Sequence, residues 1–156
     1  MPKSTNNAFK ISLGVTLSAG LGIIGGYLFS LPIITLILLL PAVLYEVYRT
    51  EGISTKIASL LVLLLVAVQM IIIFSGVDIY LSEHLGALAQ YTPAVLLEFS
   101  HVSIAIPIIT AIVAAYLVIR TRGVYTRWLA LVIIVVSLAV IFIVEPAVFS
   151  FVFNSA

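Results

Sequence analysis

Carboxylate and imidazole side chains are the groups of this sequence that could carry acid–base or metal chemistry. Glu98 and His101 are three residues apart, which puts both side chains on one face of a helix. Glu145 follows a later apolar run, and His84 lies in a mixed segment before Glu98. Ionisable groups inside a membrane usually face protein and mark a site, and histidine titrates near neutral pH. The pattern predicts a proton- or ligand-binding site at Glu98, His101, Glu145 and His84; the alternative is that Glu98 and His101 only fix helix packing by hydrogen bonding.

The same residues restrict the cofactors that the chain could hold. Glu-x-x-His resembles half of the di-metal carboxylate motif of helical bundles, which needs two such copies and two further glutamates. Only one copy is present, at Glu98 and His101, and two histidines cannot form a three-histidine zinc site. The chain has no cysteine, so disulfides and thiolate ligands are excluded. We therefore predict no cofactor, with a haem or a single metal ion at His101 and Glu98 as the weaker alternative.

Composition determines which elements must position these residues. Hydrophobic residues make up 63% of the 156 positions, charged residues 8%, and the formal net charge is +1. An ordinary soluble domain is about a quarter charged, and a chain of this length cannot hide so much apolar surface from water. Soluble enzymes, disordered chains and nucleic-acid binders are excluded, the last because they need a basic face. The sequence predicts an all-α, polytopic integral membrane protein.

The apolar runs divide into five predicted transmembrane helices. A crossing needs about 20 apolar residues, and the first run is too long for one helix and is broken before Pro32, which suits a helix start. The spans are predicted at about 9–29, 32–49, 55–76, 93–120 and 126–148. Ser54 or Thr55 is expected to cap the third helix. Apolar residues at helical spacing between residues 77 and 92 predict a short interfacial helix between spans 3 and 4.

Charge asymmetry predicts the orientation of this bundle. With five spans, every basic residue falls on one side: Lys3, Lys10, Arg49, Lys56, Arg120, Arg122 and Arg127. Asp78, Glu83, Glu98 and Glu145 fall towards the other side. The positive-inside rule makes the basic side cytoplasmic, so the N-terminus is predicted inside and the C-terminus outside. We find no repeat at a fixed period and no linker, so residues 1–156 are predicted to form a single membrane domain.

Small residues recur every four positions along the first span: Gly14, Ser18, Gly22, Gly26 and Ser30. Such a stripe lets another helix backbone approach closely, which stabilises packing in lipid. The favoured interpretation is contact with a neighbouring helix of the same bundle, and the alternative is contact with a partner subunit. In either case the stripe indicates packing and not catalysis.

Polar groups inside or at the ends of spans have predicted partners. Gln69 is the one amide near the middle of span 3, and we expect it to donate a hydrogen bond to another helix. Pro107 removes a backbone donor and frees the carbonyl of Ser103. Glu46 and Arg49 are predicted to form an interfacial pair.

Spans 3 and 5 are almost devoid of polar residues, whereas transporters and enzymes line a path or cavity with them. The sequence therefore predicts a small non-catalytic subunit of a multi-subunit membrane complex, of the respiratory, energy-transducing (quinol- or oxidase-type) class, in a prokaryotic cell membrane. Its predicted partners are lipid and other membrane subunits, contacted through helix faces, and no nucleic acid. The main alternative is a homo-oligomeric proton or ion conductor that uses Glu98, His101 and Glu145. A haem- or metal-binding membrane protein is the weaker alternative.

Overall fold

A computed structural model of the chain describes residues 7–76 and 102–146, and this part of the chain is helical, without strands. The helices are α1 (Ala8–Phe29), α2 (Pro32–Arg49), α3 (Ile53–Ser75), α4 (Val102–Arg120) and α5 (Val124–Val144). Each of them is long and apolar enough to cross a membrane. The all-helical architecture that composition predicts, with five helices long and apolar enough to span a membrane, is therefore present in these residues.

The helix limits lie within one residue of the predicted spans except at the starts of α3, α4 and α5 and at the end of α5. α3 begins at Ile53 and α5 at Val124, each two residues before the predicted start. α5 ends at Val144 and not near residue 148, because Pro146 disfavours helical geometry at Glu145, whose φ and ψ are −142° and 85°. Residues 93–101 of the fourth predicted span and the predicted interfacial helix between residues 77 and 92 lie outside the described residues.

A two-residue connection turns α1 into α2. Ser30 adopts the left-handed conformation with φ of 52°, and the Leu31 backbone N–H donates to the Gly26 carbonyl at 2.9 Å. These features close the end of α1 in the manner of a Schellman motif, although serine occupies a position where glycine is commoner. Pro32 then starts α2, where its missing N–H costs no hydrogen bond.

The helices pack so that α2, α3, α4 and α5 form a ring of successive neighbours, with α5 closing against α2. α1 lies outside this ring and packs against both α2 and α5. Consequently α2 and α5 each contact three helices, and they carry much of the core. The interior is aliphatic, with Leu39, Val43, Val62, Leu117 and Ile133 almost inaccessible.

The ring consists of two similar hairpins, α2–α3 and α4–α5, whose residues correspond at an offset of 71 (120 − 49 = 71). The first helix of each hairpin ends at Arg49 or Arg120, and the second begins at Ile53 or Val124. Buried positions coincide at the same offset: Thr35/Ile106, Leu36/Pro107, Leu39/Thr110, Val43/Ala114, Glu46/Leu117, Thr50/Thr121, Thr55/Thr126, Ala58/Leu129, Ser59/Ala130, Val62/Ile133, Val66/Ser137 and Gln69/Val140. This arrangement fits an approximate two-fold axis between the hairpins, along the bundle. It corrects the expectation that the chain lacks an internal repeat.

Large apolar side chains cover the outside of the bundle. Leu17, Leu21, Leu64, Ile71 and Ile112 are each more than half exposed. A continuous apolar surface of this kind is unsuited to water and suits contact with lipid chains or other membrane helices.

Candidate functional site

The loops of the two hairpins share one sequence pattern, Arg-Thr-x-Gly-x-x-Thr. Residues 49–55 read RTEGIST and residues 120–126 read RTRGVYT. Each pattern spans the end of one helix and the start of the next, so both loops lie at the same end of the bundle. We call this the basic end, because Lys10, Arg49, Lys56, Arg120, Arg122 and Arg127 lie at or near it.

Equivalent hydrogen bonds build the two loops. The backbone N–H groups of Thr50 and Thr121 donate to Glu46 and Leu117, each at 2.9 Å, and so finish the preceding helices. The hydroxyls of Thr55 and Thr126 donate to the carbonyls of Gly52 and Gly123 at 3.1 and 2.8 Å. The backbone N–H groups of Thr50 and Thr121 and the hydroxyls of Thr55 and Thr126 therefore make equivalent hydrogen bonds in the two hairpins.

Glycine is required in the two loops for different reasons. Gly52 has φ of 102°, a conformation that residues with a side chain rarely adopt. Gly123 has an ordinary φ of −83°, but a Cβ there would lie 2.7 Å from the hydroxyl of Thr126. In both loops this glycine precedes the first helical residue and has no side chain to cap the helix. Thr55 is the third residue of α3, and its hydroxyl donates to carbonyls instead of capping the helix, contrary to the prediction.

A cavity of about 610 Å³ lies between these loops at the basic end. Its lining combines the ends of α2 and α4 with the starts of α3 and α5: Arg49, Glu51, Gly52, Ser54, Thr55, Arg120, Thr121, Arg122, Gly123 and Thr126. Corresponding positions of the two loops, such as Arg49 and Arg120 or Thr55 and Thr126, face the same space. Three guanidinium groups and one carboxylate make the cavity positively charged. Glu51 and Arg122 occupy corresponding positions and break the symmetry of charge.

Aromatic and hydroxyl groups hold one of the arginines. The Arg49 guanidinium lies 5.9 Å from the ring centroid of Tyr45 and 5.5 Å from that of Tyr125, and it donates to the Tyr45 hydroxyl at 3.4 Å. Tyr125 belongs to α5, so this contact joins the two hairpins. In the second hairpin, Tyr116 and Arg120 lie four residues apart on α4, as Tyr45 and Arg49 do on α2. Because Tyr45 and Tyr116 are also 71 residues apart, each hairpin supplies one tyrosine–arginine pair.

The buried hydroxyls of Thr121 and Thr50 occupy corresponding positions near the cavity and differ in their hydrogen bonds. Thr121 is only 8% exposed and lines the cavity, and its hydroxyl has no hydrogen-bond partner among the described residues. The corresponding hydroxyl of Thr50 donates to the carbonyl of Glu46 at 2.7 Å and to its carboxylate at 3.2 Å. Glu46 therefore bonds to Thr50, while Arg49 turns to the tyrosine rings. The sequence predicted Glu46 and Arg49 as an interfacial pair, but Glu46 is buried, with 1% of its surface exposed, and its carboxylate accepts a hydrogen bond from Thr50.

The middle of the bundle contains a polar contact between the hairpins. The Gln69 amide on α3 donates to the Ser103 carbonyl on α4 at 2.9 Å, and Pro107 is the residue that frees this carbonyl from its helix. The other amide atom, Oε1, has no partner among the described residues. Beside it is a cavity of about 10 Å³ lined by Gln69, Thr110, Ser137 and six apolar neighbours. That volume is close to the minimum for one water molecule.

The structure places only some of the predicted site residues. Glu98, His101 and His84 lie outside the described ranges, so their predicted cluster with Glu145 stays a prediction. Glu145 follows α5 at the end of the bundle opposite the basic end, and its backbone N–H donates to the Ile141 carbonyl at 2.9 Å. No group of three metal-binding side chains occurs in residues 7–76 and 102–146.

The small residues of the predicted stripe, which includes Ser30 after the end of α1, lie in three different environments. Gly22 and Gly26 lie against α2, where the Thr35 hydroxyl donates to the Gly22 carbonyl at 2.9 Å. The Ser18 hydroxyl donates to the Leu38 carbonyl of α2 at 3.0 Å. Gly14 has open space around it, and Ser30 forms the turn. Part of the stripe thus packs inside the bundle, and Gly14 is left facing outwards.

Sequence reasoning missed the cavity at the basic end because it used the arginines only as indicators of orientation. The signal that could have found the cavity is the repeated Arg-Thr-x-Gly-x-x-Thr pattern. The pattern is easily overlooked, because on either side of it corresponding positions of the two hairpins carry different apolar residues.

Comparison of this chain with known protein families, with curated proteins and with solved structures finds no match. A function for the chain therefore has to be argued from its own residues and their arrangement.

Proposed function

We propose that this chain is a non-catalytic integral membrane subunit of a multi-subunit complex of the energy-transducing class. One observation carries the proposal: midway along the described helices the interior is packed, and the cavity there has only about 10 Å³, while the cavity of about 610 Å³ lies at the basic end. A conductor needs a continuous polar path through the bundle, which the packed middle of these helices does not provide.

The polar side chains inside the bundle support the same function. Thr35, Ser18 and Gln69 each donate to a backbone carbonyl of another helix. In lipid, such hydrogen bonds and close contacts at small residues hold helices together. These groups are therefore used in packing, which is what a subunit without its own reaction needs.

α1 is the helix with the most surface available to a partner subunit. Only 22% of its membrane-spanning window is buried, the lowest share among the described helices. Gly14 lies on its outward surface with nothing within 4 Å of the position of a Cβ atom. A further helix could approach α1 closely there, because small residues allow backbones to come together.

The class of the complex and the orientation are also part of the proposal. The energy-transducing class is favoured by how often such assemblies contain small helical subunits and by the predicted Glu98–His101 pair. The positive-inside rule favours a cytoplasmic basic end.

Isolation from native membranes tests the proposed function. The tagged full-length chain, extracted in mild detergent and analysed by native mass spectrometry, should carry other membrane subunits in fixed stoichiometry. Gly14→Leu should remove them without changing the thermal stability of the chain, whereas Leu64→Trp, a change on the exposed face of α3, should leave them bound. A monomer would contradict the proposal, and a homo-oligomer with proton flux in vesicles would support the conductor instead.

Cysteine labelling tests the orientation, because the natural chain has no cysteine and gives no background. Glu51→Cys places a thiol at the basic end, and Ser30→Cys places one at the opposite end. A membrane-impermeant maleimide added outside intact cells should label Ser30→Cys and not Glu51→Cys. The reverse result would overturn the proposed orientation.

A further inference from the structure

The cavity at the basic end has the properties of a site for a phosphate group, and this inference is independent of the proposed function. We propose that the cavity between the two Arg-Thr-x-Gly-x-x-Thr loops binds a phosphate-bearing anion, supplied by a lipid headgroup or by a soluble phosphate.

The charge and the geometry of the cavity favour a phosphate group. Arg49, Arg120 and Arg122 line one cavity, and Glu51 is the single acidic residue of the lining. Within the described chain, no ion pair joins Glu51 to these guanidinium groups. Guanidinium groups bind phosphate oxygens through pairs of parallel hydrogen bonds, and they are the preferred residues for recognising phosphate.

The polar backbone groups at the starts of two helices also favour an anion in this cavity. α3 and α5 both start at this cavity, and the first intrahelical donors are the N–H groups of Lys56 and Arg127. The N–H groups that precede them in each helix have no partner within the helix and give its start a partial positive charge. A helix start of this kind is a common anion site, and here two of them border one cavity together with the arginines.

The hydroxyl of Thr121 is a further hydrogen-bond donor beside the cavity. This residue is 92% buried (100 − 8 = 92), lines the cavity and has no hydrogen-bond partner among the described residues. The matching hydroxyl of Thr50 is fully used within its own hairpin. A phosphate oxygen would give the Thr121 hydroxyl the acceptor that its own hairpin lacks.

The size and position of the cavity indicate the kind of anion. A volume of about 610 Å³ exceeds what one phosphate fills and accommodates a headgroup or a diphosphate. The cavity lies where the spans end, at the level of lipid headgroups, and basic pockets between membrane helices are typical sites for anionic lipids. Arg49 is fixed by Tyr45 and Tyr125, so one guanidinium is already ordered for binding.

The test measures lipid and phosphate binding to the purified full-length chain. Native mass spectrometry in detergent, with phosphatidylglycerol or phosphatidylcholine added, should show preferential retention of phosphatidylglycerol. Arg120→Gln combined with Arg122→Gln should weaken that retention at least tenfold. Lys56→Gln removes a charge at the same end but does not line the cavity, so it should change retention less than twofold. Glu51→Gln should strengthen it.

Competition separates the two sources of phosphate. Pyrophosphate or inorganic phosphate that displaces phosphatidylglycerol at millimolar concentration identifies a site that accepts soluble phosphates, and retention despite both identifies a headgroup site. Equal binding of both lipids to the natural chain together with no binding of either phosphate would overturn the proposal. An equal loss in Lys56→Gln and in the double arginine variant would overturn it too, because general surface charge would then explain the binding.

Discussion

The hairpins α2–α3 and α4–α5 have the same loop and the same buried positions but different polar residues. The first hairpin places Glu46 and Gln69 in the interior, where the second has Leu117 and Val140. In the loops, Glu51 corresponds to Arg122. The shared residues thus build the hairpin, and the differing residues give each hairpin a separate role. The first supplies the polar groups of the interior, and the second supplies the additional positive charge and the free carbonyl that Gln69 binds.

The largest effect on stability is expected at positions 46 and 117, when each hairpin in turn is given the residue of the other. Leu117→Glu should lower the free energy of unfolding by about 4 kcal/mol, because it takes a carboxyl group out of water at a fully buried position, a cost that one hydrogen bond from Thr121 would not offset. Glu46→Leu should not lower it, because one carboxylate oxygen of Glu46 is buried without a partner and the Thr50 hydroxyl keeps its bond to the backbone carbonyl of residue 46.

Unfolding by sodium dodecyl sulfate in mixed micelles, followed by Trp128 fluorescence, measures both variants. Leu117→Met is the control for the loss of leucine packing and should cost less than about 1.5 kcal/mol. Equal destabilisation by Glu46→Leu and Leu117→Glu would show that Glu46 has stabilising contacts beyond those with Thr50.

α1 belongs to neither hairpin, and its glycines test whether it is bound to the ring by packing. Gly26→Leu should destabilise the protein by about 3 kcal/mol, because any side chain at Gly26 overlaps the hydroxyl of Thr35. Gly14→Leu should have almost no effect, since Gly14 is surrounded by open space. Detergent unfolding measures both, and protease cleavage near residue 31 should increase only in Gly26→Leu. Similar stability of Gly26→Leu and Gly14→Leu would contradict the packing of α1 against α2 at Gly26.

The two loop glycines should respond differently to the same substitution. Gly52→Ala should cost about 2 kcal/mol because its φ of 102° strains any residue with a side chain. Gly123→Ala should also destabilise, but Thr126→Ala should restore stability by removing the overlapping hydroxyl. Thr55→Ala should give no such rescue of Gly52→Ala. Thermal unfolding of the four variants in detergent checks this. Rescue in both loops would mean that steric crowding, and not a positive φ, is the reason why each loop needs a glycine.

The contact between Gln69 and Ser103 should give the smallest effect. Gln69→Leu should cost about 1 kcal/mol, because it leaves the Ser103 carbonyl without a donor. Pro107→Ala restores a backbone N–H that can bond to this carbonyl, so Gln69→Leu should cost less in that background. A double-mutant cycle measures the difference, and additive costs would contradict the assignment of Ser103 as the acceptor that Pro107 frees.

The spans were predictable from the sequence because apolar length, Pro32 and the polar loops determine where helices can begin and end. The prediction was wrong by two residues at the starts of α3 and α5, where Gly52 and Gly123 and not hydroxyl residues precede the helices. It was also wrong at the end of α5, because Pro146 disfavours the helix earlier than hydropathy suggests. Both errors arise because backbone conformation determines helix ends and hydropathy does not.

The candidate site was less predictable than the fold. The sequence predicted that Gln69 donates to another helix and that the Ser103 carbonyl is free, but residue spacing cannot show that a donor on α3 meets a carbonyl on α4. Arg49 and Arg120 are 71 residues apart, and only the packing of two hairpins brings them to one cavity. The acid–base residues that the sequence emphasised, Glu98 and His101, lie outside the described residues.

The position of α5 has a consequence for the order in which the protein is assembled. α5 contacts α1, α2 and α4, and its Trp128 indole donates to the hydroxyl of Thr16, 112 residues earlier in the chain. A ribosome synthesises the N-terminal helices first, so α1 and α2 can pair before α5 is made. If the helices span a membrane as proposed, lipid fills the place of α5 until that helix displaces it. Chains truncated before residue 124 should therefore insert into the membrane but stay susceptible to quality-control proteases.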